Sequence, residues 1–240
     1  MIERKLVFKE SNIFLKIENE KYFDIAHRSL LKNRSELEEY ISLHPFFRST
    51  LEPFEVESNS PRVVKLMADA GEKTGVGPMA AVAGALADLM LEEVVEKGCK
   101  YAIIENGGDI AMKVDRASKV AVYAGSSPFS GNIAFEVMPK ETPMGLCTSS
   151  GTVGHAISFG CADAAVAFAD SGALADAAAT AVGNAVKSES RLREAIEAAK
   201  KLPIRGTVVI KGKNIAAWGK IPKIVKSEGL PRYFYKEFFE

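Results

Sequence analysis

The sequence predicts an α+β fold built from two similar halves, each a helix followed by an antiparallel hairpin, with a cleft between them. Three observations carry this. Gly84-Ala85-Leu86-Ala87-Asp88 recurs letter for letter as Gly172-Ala173-Leu174-Ala175-Asp176. Each copy sits on an Ala-rich helix that leads to a hairpin, and the hairpins align, Ile103-Ile104 … Asp109-Ile110-Ala111 against Val209-Ile210 … Asn214-Ile215-Ala216. Five small residues recur easily by chance, so it is the agreement of the hairpins that favours a duplication. Finally, the 240 residues are 47% hydrophobic, enough for the core of one large domain and too apolar for disorder.

In chain order, Lys5–Phe8 and Ile13–Ile17 read as short strands around a polar turn at Ser11-Asn12. A charged helix is predicted from Asn33 to Leu43, closed by Pro45, and residues 46–62 form an irregular connector. Arg62–Thr74 is apolar at helical spacing. Gly75-Val76-Gly77-Pro78 breaks it, and Pro78 opens a second helix that runs to about Lys97, where Gly98 ends it. Its small residues imply a close neighbour. Strands follow at Tyr101–Glu105 and Asp109–Val114, joined by Asn106-Gly107-Gly108, then at Val120–Ala124 and Ile133–Val137. Beyond a loop, Ala164–Phe168 is a strand, Ser171 caps a helix from Gly172 to Lys187, and Ser190–Lys201 is a charged helix. Thr207–Ile210 and Asn214–Trp218 make the last hairpin. The whole is a single domain: residues 1–60 precede a first pseudo-repeat at 61–140, a second spans 141–222, and an aromatic, amphipathic tail covers 223–240.

Charge and cysteine usage narrow the function. With 31 basic and 31 acidic side chains the formal net charge is zero, which argues against a nucleic-acid partner. The apolar stretch from Val76 to Leu91 carries Asp88 and is too short to span a bilayer, and the charged N-terminus lacks a signal-peptide core. Three cysteines, Cys99, Cys147 and Cys161, form neither a disulfide framework nor a C-x-x-C pair. A cytoplasmic, reducing setting without a membrane is the expectation.

Three segments can carry chemistry. Asp176 and Thr180, four apart on one helix face with alanines between, are hard oxygen ligands suited to Mg²⁺. A packing helix with its Asp in solvent fits the spacing too, and on spacing alone has the edge. In 145–155, Thr148, Ser149, Ser150 and Thr152 stand among three glycines, including Gly151, where backbone and hydroxyl donors can hold phosphate. His155 ends that loop and can move a proton near neutral pH. The rival is a polar surface turn with His155 satisfied by a backbone carbonyl, and the density of hydroxyls beside a lone His makes a site at least as good a reading. Cys147 lies inside the same loop, where such dipoles would lower a thiol pKa, although a free Cys is more often a small buried hydrophobe. Last, Asn106-Gly107-Gly108 allows close approach of a ligand to backbone, but alone it reads as a plain hairpin turn.

The order of these motifs, a Gly-Gly-Asp turn, a Thr-Ser-Ser-Gly segment leading to His, then Ala-Asp-Ala-Ala-Ala-Thr-Ala, resembles the ApbE-like superfamily of FAD:protein FMN transferases. Residues 75–84 and 147–155 are similar to a shorter branch of it, and the resemblance is strongest over 60–220. It implies a duplicated, tunnelling-fold-related architecture with FAD between the halves. It further implies Mg²⁺ on Asp176 and Thr180, with Ala102 the positional match for a backbone carbonyl ligand. In those enzymes the metal polarises the FAD pyrophosphate and a threonine of an acceptor protein attacks, releasing AMP. Asn106, Gly107 and Gly108 then serve ligand approach, Thr148, Ser149, Ser150 and Gly151 hold phosphate, and His155 is the base. The sequence departs from the pattern after His155, where Ala156-Ile157-Ser158-Phe159-Gly160 replaces the Asp-Pro-x-Thr-Gly element.

Two alternatives stay open. The branch is also associated with homocysteine metabolism, which would make Cys147 a thiolate or persulfide carrier. The Ala-rich helices and aromatic tail equally suit a homo-oligomer that binds a ligand without catalysis.

Overall fold

The computed structural model describes residues 1–151, 160–188 and 192–229. Eight antiparallel strands form the main sheet in the order β1-β2-β3-β4-β7-β8-β9-β10. These are β1 (Ile2–Phe8), β2 (Ser11–Ile17), β3 (Ala102–Asn106), β4 (Asp109–Lys113), β7 (Met144–Ser149), β8 (Ala164–Ala169), β9 (Gly206–Lys211) and β10 (Asn214–Gly219). A small sheet, β11 (Lys223–Lys226), β6 (Ile133–Val137) and β5 (Ser118–Ala121), lies against one face. On the other side are α1 (Lys21–Leu43), α2 (Pro45–Ser49), α3 (Arg62–Thr74), α4 (Val82–Glu96), α5 (Gly172–Ala185) and α6 (Leu192–Ala199). Both sheets are open, and the architecture is α+β.

The period-2 pleat sorts the sheet into two cores. Ile103, Ile110, Met112, Leu146, Val166 and Phe168 face the small sheet, where the Phe168 ring meets that of Phe135 edge-on at 4.8 Å. Their alternates, Ala111, Cys147, Ala167 and Ala169, are small and lie under the helices. A Cβ on Gly145 would stand 2.2 Å from the Ser171 carbonyl oxygen, so the sheet takes its smallest residue where α5 begins.

The two halves of the main sheet share one plan. In the first, hairpin β1–β2 leads through helices to hairpin β3–β4, and β2 pairs with β3. In the second, β7–β8 leads through helices to β9–β10, and β8 pairs with β9. The junction is the β4–β7 pairing. In this pairing the N-terminal hairpin lies alongside the first unit's own hairpin.

Other differences are local. α1 begins at Lys21, not Asn33, because its buried stripe (Tyr22, Ala26, Ser29, Leu30, Asn33, Leu37) includes two polar residues that break the apolar pattern. Their polarity is met internally: Asn33 Nδ2 donates to the Ser29 carbonyl at 2.8 Å. The segment read as a loop from Gly145 starts as strand β7, and residue 223 opens a strand, not a tail. The Arg62–Thr74 helix and the Ile133–Val137 strand fall where the sequence put them, and Ser171 Oγ accepts from Leu174 N–H at 3.3 Å as a helix cap. Most of the aromatic tail and residues 189–191 lie outside the described residues.

The repeated pentapeptides meet where α4 and α5 cross. Gly84 N–H donates to Asp176 Oδ2 at 2.9 Å. Reciprocally, Gly172 and Ala173 N–H donate to Asp88 Oδ1 and Oδ2 at 2.6 and 2.8 Å. Each Asp thus satisfies amide groups at the start of the other helix, which an N-terminus otherwise leaves orphaned. The approach needs glycine: a Cβ on Gly84 would lie 2.2 Å from the Gly172 carbonyl oxygen. On an open helix, Gly→Ala gains about 1 kcal/mol. Here Gly84→Ala is expected to cost about 1–3 kcal/mol, as overpacking does. Urea unfolding measures this, and an unchanged or raised midpoint would contradict the close crossing.

Candidate functional site

At the ends of β3, β4 and β7, beside the crossing, a cavity of about 1410 Å³ opens. Its wall combines both halves: the β3–β4 turn from the first, and Thr148, Ser149, Ser150, Asp176 and Thr180 from the second. The N-terminal hairpin and α1 add Phe14, Ser11 and Arg34. Arg34 is held by Glu10, Ser11 (3.1 Å) and Glu38 (3.2 Å), while its Nε is buried without a hydrogen-bond partner.

The turn is a two-residue connection with both glycines at positive φ, 65° at Gly107 and 103° at Gly108, which matches the twist of the flanking strands. No atom lies within 4 Å of where a Cβ would stand on either, so backbone faces open space. Gly107 N–H is taken by the Asn12 carbonyl at 3.3 Å. Asn106 is buried and its amide donates to the Ala83 carbonyl at 3.4 Å, tying the turn to the start of α4.

Asp176 is buried, not in solvent as the packing-helix reading had it. Burial pushes its carboxyl up to about 7, helped by the charge of Asp88, while the Gly84 and Ala83 amides pull the other way. Asp88 itself is pushed up to about 6, again chiefly by burial. Thr180 lies one turn further along the same face of α5 and also lines the cavity.

Sequence reasoning assigned no role to Asp109, the first residue of β4, because beside two glycines it reads as part of a turn. Its carboxyl is held well above the usual range, mainly by burial and then by Asp176, although Thr148 N–H and the Cys147 thiol favour the charged form. Its Oδ1 is buried with no hydrogen-bond partner. Among the described residues no group of three His, Cys, Asp or Glu forms a ready-made metal cluster. The donor set is oxygen, two carboxylates and a hydroxyl, which fits Mg²⁺ and not a soft metal.

Other expected site residues fall elsewhere. Ala102 is fully buried at the far end of β3, paired with Ile17 and Lys113, and does not line the cavity. Its neighbour Ile103, on the same strand as Asn106, does line the cavity. Gly151 is likewise off the wall: its N–H donates to the Ala162 carbonyl at 2.9 Å, and a Cβ there would meet the Gly160 carbonyl oxygen at 2.1 Å. It is a packing glycine. His155 and Thr152 lie outside the described residues.

A family model described as AbpE bacteria matches residues 3–204. The chain belongs to this ApbE-like family. A UPF0280 protein of Methanococcus maripaludis strain C5 is 44% identical over 233 residues, covering 94% of each chain. One of Methanosarcina acetivorans is 43% identical over 240 residues, covering 98% of this chain and 93% of its own. Among solved structures, the flavinyl transferase ApbE of Pseudomonas stutzeri in its apo form superposes with a TM-score of 0.56 at 13% identity, covering 100% of this chain and 97% of that one. A mutant of the flavin transferase ApbE from Vibrio cholerae gives 0.57 at 14%, covering 99% of both chains. At that identity the likeness concerns the fold.

Within the family fold, Cys147 is a core residue. It is fully buried under α5, its thiol lies 3.4 Å from the Gly172 carbonyl oxygen, and burial together with Asp109, Asp176 and Asp88 pushes its pKa well above normal. A thiolate is disfavoured there, which agrees with the reading of Cys147 as a small buried hydrophobe and tells against a reactive carrier. Labelling with a thiol reagent at pH 7.5 is expected to leave Cys147 intact until the chain unfolds, with half-buried Cys161 reacting first. Fast modification of Cys147 in folded protein would restore the carrier reading.

The raised carboxyls also fix a pH dependence. With folded values above the unfolded ones, the folded state binds more protons between about pH 4 and pH 7, so metal-free stability falls as pH rises through that window. Asp176→Asn keeps an oxygen for Gly84 N–H and removes the ionisation. It is expected to flatten the decline and raise the metal-free unfolding free energy at pH 8, by no more than about 4 kcal/mol, roughly three pKa units at about 1.4 kcal/mol each. A decline as steep as that of the wild type would contradict the burial of this charge.

Proposed function

We propose that the chain is a Mg²⁺-dependent enzyme that binds FAD, or a similar phosphate-bearing ligand, in this cavity and transfers FMN to a threonine of an acceptor protein. The observation that carries this reading is Asp176: a buried carboxylate on a cavity wall, next to a hydroxyl, with other carboxylates as the charges acting on it. Burying such a group is unfavourable unless something pairs with it. The structural neighbours, flavin transferases, support the choice of ligand, and the cavity exceeds the roughly 300–1,000 Å³ of ordinary small-molecule sites.

A divalent cation bound by Asp176 and Thr180 would supply charge neutralisation on a pyrophosphate. The chain's own residues do the rest. The open Gly107-Gly108 backbone admits the ligand closely, and Thr148, Ser149 and Ser150 line the same cavity, where amide and hydroxyl groups of this strand end are offered to phosphate oxygens. Asn106 fixes the turn against α4, so the pieces from the two halves keep their spacing. Orientation of this kind, added to charge stabilisation, is most of what phosphoryl-type transfer asks of a protein. His155 is the residue we assign to take the acceptor's proton.

Calorimetric titration with FAD, with and without Mg²⁺, tests the reading. Binding is expected only with Mg²⁺, and Asp176→Ala is expected to abolish the Mg²⁺ dependence. Failure to bind FAD under either condition would remove the flavin assignment.

A further inference from the structure

We propose that Asp109 is a second carboxylate ligand of the cation site, so that the site takes up a divalent cation before any phosphate-bearing ligand arrives. This rests on the reading of Asp176 and Thr180 as cation ligands and adds a residue from the other half of the molecule.

The placement follows from the pleat. Asp109 opens β4 directly after the two-glycine turn, opposite Cys147 in the β4–β7 pairing. It shares its face with Ala111, two residues on, and that face lies under α4 and α5. Its carboxyl accepts from Thr148 N–H, yet Oδ1 is buried with nothing donating to it, on the cavity that Asp176 also lines. A buried acceptor without a partner costs free energy comparable to a lost hydrogen bond, and more when it is charged.

Two candidates can satisfy Oδ1. A water or a ligand N–H would fill its hydrogen bond but leave Asp109 and Asp176 repelling each other whenever both ionise, a conflict that otherwise only a bound proton relieves. A divalent cation satisfies the oxygen and cancels both charges. The Thr180 hydroxyl completes a hard-oxygen set that leaves room for water or phosphate oxygens, as Mg²⁺ requires. With one carboxylate, a cation would stay undercompensated and arrive with the ligand's own phosphates. With two it is neutralised by the protein, and the order of binding becomes cation first.

Mn²⁺, followed by the loss of its free-ion paramagnetic resonance signal, is the probe. Nucleotide-free wild type is expected to bind one Mn²⁺ per chain. Asp109→Asn should weaken it by at least the roughly tenfold that loss of even an outer-shell partner costs. Metal-free Asp109→Asn should melt at or above wild type, showing that the fold is intact, and Asp109→Ser provides a second reading of the same site. Equal Mn²⁺ affinity in wild type and Asp109→Asn would overturn the proposal. If Asp176→Asn alone then lost Mn²⁺, the underlying cation site would stand. No Mn²⁺ binding by wild type, with or without FAD, would overturn both.

Discussion

Two helices lie backbone to backbone at Gly84 and Gly172, and each is pinned by a carboxylate from the other. The contact imposes a cost that shapes everything around it, because a carboxylate that reaches the opposite helix's amides must leave water. Asp88 and Asp176 both hold their protons tighter than usual for that reason. The electrostatics of the cavity are therefore set by the architecture. A carboxyl buried to join two halves, that of Asp176, stands at the same time on the wall of the cavity.

The sheet follows from the same closeness. Helices with a stripe of Gly and Ala lie near the strands beneath them, so that face is paved with Gly145, Cys147, Ala167 and Ala169, while the bulky residues go to the other face and the small sheet. The pairing of β4 with β7 then sets the glycine turn of one half beside the hydroxyl-bearing strand of the other. Neither half builds the cavity alone.

Much of this was legible in the sequence because it is local. The repeated pentapeptide, the Asn-Gly-Gly turn, the Ser171 cap and the helical period of 62–74 are each complete within a few neighbours. What could not be read depends on partners far along the chain. Met144–Ser149 lies between two packed layers, so it lacks the polar alternation that marks a half-exposed strand. The hairpin at the N-terminus joins the first half only through the pairing of β2 with β3. Gly84 and Asp176, bonded in the fold, are 92 positions apart. Asp109 looked like a turn residue, and only the arrival of α5 makes it a buried acid. Cys147 is a related case: the glycines and hydroxyls around it resemble an anion loop, but the pleat turns its thiol under a helix, the buried setting more usual for a free Cys.

The crossing also has a consequence for substitution. The two pentapeptides are identical in letters but not in burden. Asp88 caps a helix and does nothing else visible, so any small acceptor that reaches the Gly172 amide can replace it with a modest loss. Asp176 satisfies Gly84 and stands on the cavity wall, so its replacement has to satisfy two demands at once. Gly84 and Gly172, where any side chain would strike the facing backbone, are the least exchangeable letters of the two copies.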